Sequence, residues 1–298
     1  MSNILYVPSE YSTIKEAIEA AEEGYVIQIA AGTYNEQDLE VFGGLTIEGE
    51  SAESTLISGL GNDDIIKDSV NSDNTKAIVI KKVTIENGDV GIYLYEHILE
   101  LTDCMVQNNN SSGLYLSSSV ATISNCVIAD NSEYGIYRGT VTISDSIIKN
   151  NTKDGIRGGS ATITNAIIAN NTGDGIACDN LDINYCTIYG NNDGICAFRS
   201  SGTIKNSIIA MNSDNGINET QASLTLSNIN FYNNLHNWLK DYVYYTGSAW
   251  YDAIDSILTD PMFVDAANDD FHLQEGSPAL TASDTGGEIG AYGNEGGL

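Results

Sequence analysis

The stretch from residue 163 to residue 176, Ile-Thr-Asn-Ala-Ile-Ile-Ala-Asn-Asn-Thr-Gly-Asp-Gly-Ile, is one copy of a pattern that repeats along the chain. Its apolar runs end at Asn, Asp or Gly after a few residues, and runs this short are typical of strands rather than helices. Apolar residues at the same place in the pattern recur every 20 to 22 residues: Ile80, Leu101, Ile123, Ile143, Ile163, Ile183, Ile204 and Leu226. This period predicts an all-β parallel solenoid, whose rungs hydrogen-bond to each other about 4.8 Å apart.

Asparagine and glycine recur in register with this period. An asparagine stands eight residues after each repeat start except the first: Asn109, Asn131, Asn151, Asn171, Asn191, Asn212 and Asn234. We predict that these amides turn inward at a bend and pair with one another, because buried amides need hydrogen-bond partners. A glycine follows 11 or 12 residues after each start except the last, as at Gly113 and Gly175, and we expect it to supply a positive φ before the next inward Ile.

Three of the five cysteines fall on one repeat position. Cys104, Cys126 and Cys186 share it with Ser146 and Ala166. We interpret them as small interior side chains rather than redox groups. Because the cysteines are odd in number and include no C-x-x-C, neither a disulfide framework nor a zinc site is expected.

The two ends of the array differ from its rungs. Thr13-Ile-Lys-Glu16 is a capping box that predicts an amphipathic helix. We therefore divide the chain into an N-terminal cap strand and helix over 1–25, a parallel β-helix over 26–234, and a C-terminal capping segment over 235–298. A group of aromatic residues in the last segment is expected to plug the open end: Trp238, Tyr242, Tyr244, Tyr245, Trp250 and Tyr251.

The composition restricts the partners and the location of the protein. Its 298 residues include 12 Lys+Arg and 41 Asp+Glu, and the net charge of −29 argues against binding nucleic acid. No apolar run of about 18 residues occurs, so no membrane span is predicted. The first residues lack the basic and apolar regions of a signal peptide. Either the protein is not exported by that route, or this is a mature form behind a replacement Met.

Both ends of the chain resemble a known group of proteins. Val-Pro-Ser-Glu-Tyr-Ser-Thr-Ile-Lys-Glu-Ala-Ile-Glu-Ala-Ala from residue 7 and Val-Ile-Gln-Ile-Ala-Ala-Gly-Thr-Tyr-Asn-Glu from residue 26 resemble the opening of right-handed parallel β-helix proteins of the pectin-lyase-like superfamily. Asp-Pro-Met-Phe-Val-Asp from residue 260 and Ile-Gly-Ala-Tyr-Gly from residue 289 are similar to the C-terminal segment of surface and secreted members. The resemblance implies a right-handed β-helix with an extracellular or surface location, or a virion surface as the alternative.

The resemblance does not select an activity, since the superfamily includes lyases, hydrolases, esterases, epimerases, phage tailspikes and non-catalytic binders. The polygalacturonase motifs are reduced to two bare Asp-Asp pairs, at 63–64 and 269–270. The pectate-lyase motif Arg-x-Pro-x-x-Arg is missing, because the only prolines are Pro8, Pro261 and Pro278. The Asp-Pro-His stretch of alginate epimerases is missing as well.

Outward residues that align on successive rungs are the candidate binding surface. Two residues after the repeat glycine, this column reads Tyr93, Tyr115, Tyr137, Arg157 and Ala177. Tyrosines one rung apart form a platform on which sugar rings could lie. Alternatively, the rings stack on one another as a cross-strand ladder. The column therefore indicates either substrate binding or simple packing.

A second column consists of carboxylates directly before the repeat glycine: Asp154, Asp174 and Asp193. Carboxylates on consecutive rungs repel each other, which raises their pKa values or recruits a cation, and Ca²⁺ suits oxygen ligands of this kind. In the alternative interpretation, each is an Asp-Gly turn whose carboxylate bonds its own backbone.

The charged residues around this turn are the candidate catalytic groups. A lyase acting on uronic acids needs a cation for the sugar carboxylate, a base and an acid, and Arg138, Arg157 and Lys153 are the candidates. Lys153 or an Arg could be the base only with a depressed pKa. A glycosidase would need a carboxylate pair, for which Asp154 and Asp174 are the candidates.

Three functions stay open at this point. The first is binding, with or without cleavage, of a polysaccharide along the outward stripe. An acidic polysaccharide would need divalent cations as bridges, because the protein is itself strongly negative. The second is a virion surface or tailspike-like protein, and the third is an adhesive or decoration module without catalysis. A monomer or a homotrimer is expected.

Overall fold

The protein is a right-handed parallel β-solenoid with few helices. The computed structural model describes residues 3–69, 74–240, 243–245 and 253–294. The chain forms two compact units, residues 1–141 (unit 1) and residues 142–298 (unit 2). In both units the strands of one rung lie on three faces, numbered here in the order in which the chain reaches them.

In unit 1, each strand pairs in parallel with a strand one rung away. The first face consists of Ile4–Val7, Val26–Ile29, Thr46–Glu48, Ala77–Lys81, Ile98–Thr102 and Val120–Ser124. The second face consists of Gly32–Asn35, Thr55–Ser58, Thr84–Glu86, Met105–Gln107 and Val127–Ala129. The third face consists of Leu39–Val41, Ile66–Asp68, Ile92–Tyr95, Leu114–Ser117 and Ile136–Tyr137.

The helix Ile14–Ala20 also belongs to unit 1. The Thr13 hydroxyl accepts the N–H of Glu16 at its N-terminus, and Ile14, Ala17 and Ile18 are buried. The alternation of apolar residues every three or four positions therefore gives this helix one face that packs against the solenoid.

In unit 2, Thr140–Ser144, which spans the unit boundary, is followed on the first face by Ser160–Thr164 and Asn180–Asn184. The second face has Ile147–Lys149, Ile167–Ala169 and Thr187–Tyr189, and the long strands Ser201–Ala210 and Ser223–Tyr232 run through both faces. Ala253–Ile254 pairs with the last of these. The third face has Ile156–Arg157, Ile176–Ala177, Ile195–Phe198, Asn215–Thr220 and His236–Lys240, and Val243–Tyr245 pairs with the last strand in antiparallel fashion.

Residues one repeat apart are vertical neighbours, as the period predicts. In unit 1, Ile80 pairs with Leu101, which pairs with Ile123. In unit 2, Ile163 pairs with Ile183, and the column continues through Ile204 and Leu226. All of these side chains point inward, and the core is a set of such stacks. The predicted interior position of Cys104, Cys126 and Cys186 is confirmed, and burial raises the pKa of the Cys186 thiol to about 12.

The predicted asparagine ladder is confirmed inside each unit. In unit 1, the backbone N–H and the side-chain amide of Asn109 both donate to Oδ1 of Asn131, at 3.2 and 3.0 Å. In unit 2, Asn151 donates in the same way to Asn171 at 3.1 and 2.9 Å. Each amide oxygen thus satisfies two donors of its neighbour in a buried position.

The expectation that the repeat glycines have a positive φ is wrong. Residues such as Gly113 and Gly175 have ordinary φ values, and the left-handed residue is the one directly before each ladder asparagine, for example Asn150 and Asn170. The glycine is needed because of close approach: a Cβ on Gly175 would lie 2.6 Å from the carbonyl oxygen of Gly194. The absence of a side chain lets the rungs stack at this turn.

The described part of the tail lies along the second face of unit 2. Phe263–Asp265 and Asp270–Leu273 form a hairpin around the 3₁₀ turn Ala266–Asn268, and a second 3₁₀ turn covers Pro278–Thr281. Phe271 packs on Ile167, and Ile289 packs on Ile208. The predicted aromatic plug falls on side chains outside the described part of the chain, and the division at residues 25 and 234 stays a prediction. None of the helices in the described ranges has the length and apolar character that crossing a bilayer requires.

Candidate functional site

The third face carries an outward feature in each unit. In unit 1 this is the tyrosine stripe, formed by Tyr93, Tyr115, Tyr137 and Arg138. In unit 2 it is the aspartate column, formed by Asp154, Asp174 and Asp193.

Strand alternation places the tyrosines on the outside. In Ile92–Tyr95 the side chains of Ile92 and Leu94 are buried, so Tyr93 between them points outward. The parallel register then sets Tyr93 beside Tyr115 and Tyr115 beside Tyr137. The structure therefore brings the three predicted substrate-binding residues into one stripe.

The tyrosine rings contact one another. The rings of Tyr93 and Tyr115 are stacked with their centroids 4.9 Å apart and their planes at 25°. Tyr137 meets Tyr115 edge to face at 5.1 Å and stacks on Tyr134 at 4.6 Å. The rings thus cover part of each other's faces, and all three tyrosines of the stripe remain only partly buried. They offer ring edges and phenol hydroxyls to the solvent.

Arg138 completes the stripe. Its guanidinium lies 5.1 Å from the ring centroid of Tyr137 and 5.5 Å from that of Tyr115, close enough for cation–π attraction. A hydrogen bond with Tyr137 raises the pKa of Arg138. Arg138 is exposed, and within the described ranges it makes no ion pair with a carboxylate. In a chain with a net charge of −29, this is a cation open to an anionic ligand.

Next to the tyrosine stripe lies Lys67, a residue that the sequence reasoning missed. Lys67 pairs with Tyr93 and with Glu40, one rung away on each side. Its Nζ lies 2.5 Å from Asp38 and 3.8 Å from Glu40, and the bond to Asp38 raises the pKa of Lys67. The early rungs are irregular in length, so the repeat register did not identify Lys67. The signal in the sequence was the apolar residue directly before it, Ile66, which is buried.

The aspartate column is a second ladder. The N–H of Asp174 donates to Oδ1 of Asp154 at 2.9 Å, and the N–H of Asp193 donates to Oδ1 of Asp174 at 3.2 Å. Asn215 continues the pattern by donating to Oδ1 of Asp193 at 2.9 Å. The carboxylates therefore accept from the turn of the next rung, not from their own backbone.

The three carboxylates of the column have different hydrogen-bond and charge partners. Asp154 is bound by Arg157, with Nη1 at 2.6 Å from Oδ2. Asp193 accepts the side-chain amides of Asn215 and Asn218 at 2.7 and 2.8 Å. Asp174 lies between them, and burial, followed by repulsion from Asp154 and Asp193, raises its pKa. Asp174 is therefore easier to protonate than an aspartate in water.

At the predicted cation site, a cysteine lies close to two of the three aspartates. The potential ligand atoms of Asp174, Asp193 and Cys196 lie within 4.8 Å of one another, while Asp154 holds Arg157 instead. Burial and both carboxylates raise the pKa of the Cys196 thiol to about 12. A protonated thiol is a poor ligand for Ca²⁺, which prefers oxygen. Calcium at Asp154, Asp174 and Asp193 stays a prediction.

The predicted catalytic residues are distributed over both units. Arg157, Lys153, Asp154 and Asp174 belong to unit 2, where Arg157 and Asp154 form the ion pair described above, and Arg138 belongs to unit 1. A guanidinium bound to a buried carboxylate keeps its proton, so Arg157 is not suited to act as a base. The catalytic roles of these residues stay predictions.

Comparison with known proteins agrees with the fold. A family model described as "Right handed beta helix region" matches residues 68–182. No match to a curated protein reaches significance. Among solved structures, the A-module of the mannuronan C-5 epimerase AlgE6 from Azotobacter vinelandii is 13% identical with a TM-score of 0.64, covering 81% of this chain and 78% of that one.

Two further structures are similar. The pectate lyase Pel9A is 13% identical with a TM-score of 0.55, covering 94% of this chain and 90% of that one. ORF18 of Geobacillus virus E2 is 15% identical with a TM-score of 0.55, covering 77% of this chain and only 53% of that one. At these identities the likeness defines the fold: the protein is a right-handed parallel β-helix protein.

Proposed function

We propose that the protein binds a polysaccharide along the tyrosine stripe of unit 1. The observation that carries the proposal is an exposed guanidinium, without a carboxylate partner in the described ranges, beside three partly exposed tyrosines at one-rung spacing. The rung spacing of about 4.8 Å is comparable to the length of one pyranose in an extended chain. Successive sugar units can therefore meet successive rungs.

The stripe favours an acidic polysaccharide. Phenol hydroxyls and ring edges contact the hydroxyl and C–H groups of any sugar, but a guanidinium fork is matched to a carboxylate. The mannuronan and pectate in the names of two structural neighbours are both acidic polysaccharides. The net charge of −29 opposes this ligand, so binding relies on Arg138 and on divalent cations that bridge the two anions.

The proposal fits an extracellular or surface location, where such polymers occur. A virion surface protein or an adhesin would use the same stripe for attachment. An enzyme would release a product, whereas these alternatives would not. The two alternatives differ from each other in assembly, and light scattering distinguishes a monomer from a homotrimer.

Binding to polygalacturonate and alginate, with dextran as the neutral comparison, tests the proposal by affinity electrophoresis with and without Ca²⁺. We expect retardation by the acidic polymers, strengthened by Ca²⁺, and a loss of about tenfold in affinity for Arg138→Gln, because a charge-assisted bond is removed. Tyr115→Phe removes the hydroxyl and keeps the ring, so it shows which of the two contributes to binding.

The matched control is Arg199→Gln, which removes another guanidinium that lies over an aromatic ring, 5.0 Å from Phe198. Both variants change the net charge equally. Equal loss in both variants, or no retardation of the wild-type protein by any acidic polymer, would contradict the proposal.

A further inference from the structure

The third face of unit 2 has a hollow where unit 1 has rings. At the position two residues after the repeat glycine, unit 1 carries three tyrosines, whereas Ala177 and Cys196 follow Arg157 in unit 2. The parallel register sets Arg157 beside Ala177. Because these side chains are small, the volume that a tyrosine ring fills elsewhere is left open.

The resulting cavity has a volume of about 230 Å³. Gly158 and Ala177 line it together with Cys196, and Phe198 and Arg157 border it. Phe198 is 55% exposed, and the Arg199 guanidinium lies 5.0 Å from its ring centroid. A single exposed aromatic side chain is ordinary, but this one stands at the edge of a hollow.

The polar groups of the cavity are held in place. Asp154 is 6% exposed, and its bond to Arg157 at 2.6 Å fixes the orientation of the guanidinium. Asp179 adds an exposed carboxylate to the lining. An apolar wall with a few fixed polar groups is the usual anatomy of a small-molecule site.

The geometry points to a binding site for a single neutral pyranose in this cavity. Its volume is below the range of about 300 to 1,000 Å³ of pockets for drug-sized ligands, so it holds one sugar ring rather than an oligosaccharide. The C–H face of the ring lies against Phe198, and its hydroxyls bond the Arg157 guanidinium and the Asp179 carboxylate.

The local charge selects a neutral sugar over a uronate. Asp154, Asp174, Asp179 and Asp193 lie around the Arg157 guanidinium, which is already bound to Asp154. A sugar carboxylate would be repelled here. The site therefore differs in ligand class from the tyrosine stripe and does not depend on it.

Saturation-transfer NMR with the methyl glycosides of glucose, galactose, mannose and N-acetylglucosamine, and with methyl glucuronide as the acidic comparison, tests this site. We expect transfer to at least one neutral glycoside and weaker transfer to the glucuronide. Ala177→Tyr fills the hollow with the residue type that unit 1 carries at this repeat position, so we expect the strand to tolerate it and the signal to vanish. Phe198→Ala should also remove the signal.

Thr162→Tyr is the matched control, because it introduces the same side chain at an exposed position on the first face. Melting temperatures show whether each variant is folded. Absence of transfer to every neutral glycoside, survival of the signal in a folded Ala177→Tyr variant, or preference for the glucuronide would overturn the proposal. The Arg138→Gln variant, even if it no longer binds polyuronates, should still bind the neutral glycosides.

Discussion

The carboxylate of Asp154 accepts the N–H of Asp174, its vertical neighbour, at 2.9 Å while its other oxygen binds Arg157 at 2.6 Å. A buried aspartate on the third face thus closes the turn of the next rung. The same arrangement recurs from Asp174 to Asp193. The aspartate column consequently stabilises the fold at the same place where it carries charge.

Replacing Asp154 should therefore destabilise unit 2. Asp154→Ala leaves the N–H of Asp174 without its acceptor in a partly buried position, and we expect a loss of about 1 to 3 kcal/mol in the free energy of unfolding. Asp154→Asn keeps an acceptor oxygen and should lose less. Urea unfolding measures both, and equal losses would show that the acceptor oxygen has no role.

Asp174 should make unfolding depend on pH. Its pKa is raised in the folded state, so the folded protein binds more protons than the unfolded chain between the ordinary and the raised value. This contribution to stability is present below the ordinary pKa of about 3.9 and is lost as the pH rises through the raised value.

Asp174→Asn should accordingly be more stable than the wild-type protein at pH 7, with the difference shrinking toward the acid end. Asn can still accept the N–H of Asp193. Melting temperatures at a series of pH values provide the measurement, and Asp179→Asn, at an exposed carboxylate, is the control. A difference that grows toward low pH would refute the assignment.

The repeat glycines should resist substitution even though their φ is ordinary. In Gly175→Ala the new Cβ would lie 2.6 Å from the carbonyl oxygen of Gly194 and 2.9 Å from Nδ2 of Asn191, so the rungs must move apart. We expect a loss above about 1 kcal/mol, as overpacking commonly produces. Gly287→Ala, whose nearest neighbour would be 3.5 Å away, should be close to neutral in the same unfolding measurement.

The repeat period was enough to predict which residues lie above one another. In a parallel ladder a fixed period brings equivalent residues together, and Asn151 and Asn171 must then pair because buried amides need hydrogen-bond partners. The position of Tyr93 beside Tyr115 follows from the same register. These relations depend on local alternation and the period alone, both of which are visible in the chain.

Other features depend on contacts between rungs that no spacing reveals. Residue 175 must be a glycine because a carbonyl oxygen of the next rung lies close to it. The position of Lys67 depends on early rungs of unequal length. The cavity beside Phe198 arises from side-chain volume that Ala177 lacks. Each of these features arises only when the rungs stack.

Cleavage of a polysaccharide is testable apart from binding. Asp154 and Arg157 are bound to each other at 2.6 Å, so neither group is free to move a proton, and the candidate pair of Asp154 and Asp174 lacks one of its two carboxylates. We expect incubation with polygalacturonate or alginate to release neither unsaturated uronates, detected by ultraviolet absorbance, nor new reducing ends. Release of unsaturated product that disappears in Lys153→Gln or Arg138→Gln would instead identify a lyase, and new reducing ends lost in Asp154→Asn and Asp174→Asn would identify a hydrolase that uses this pair.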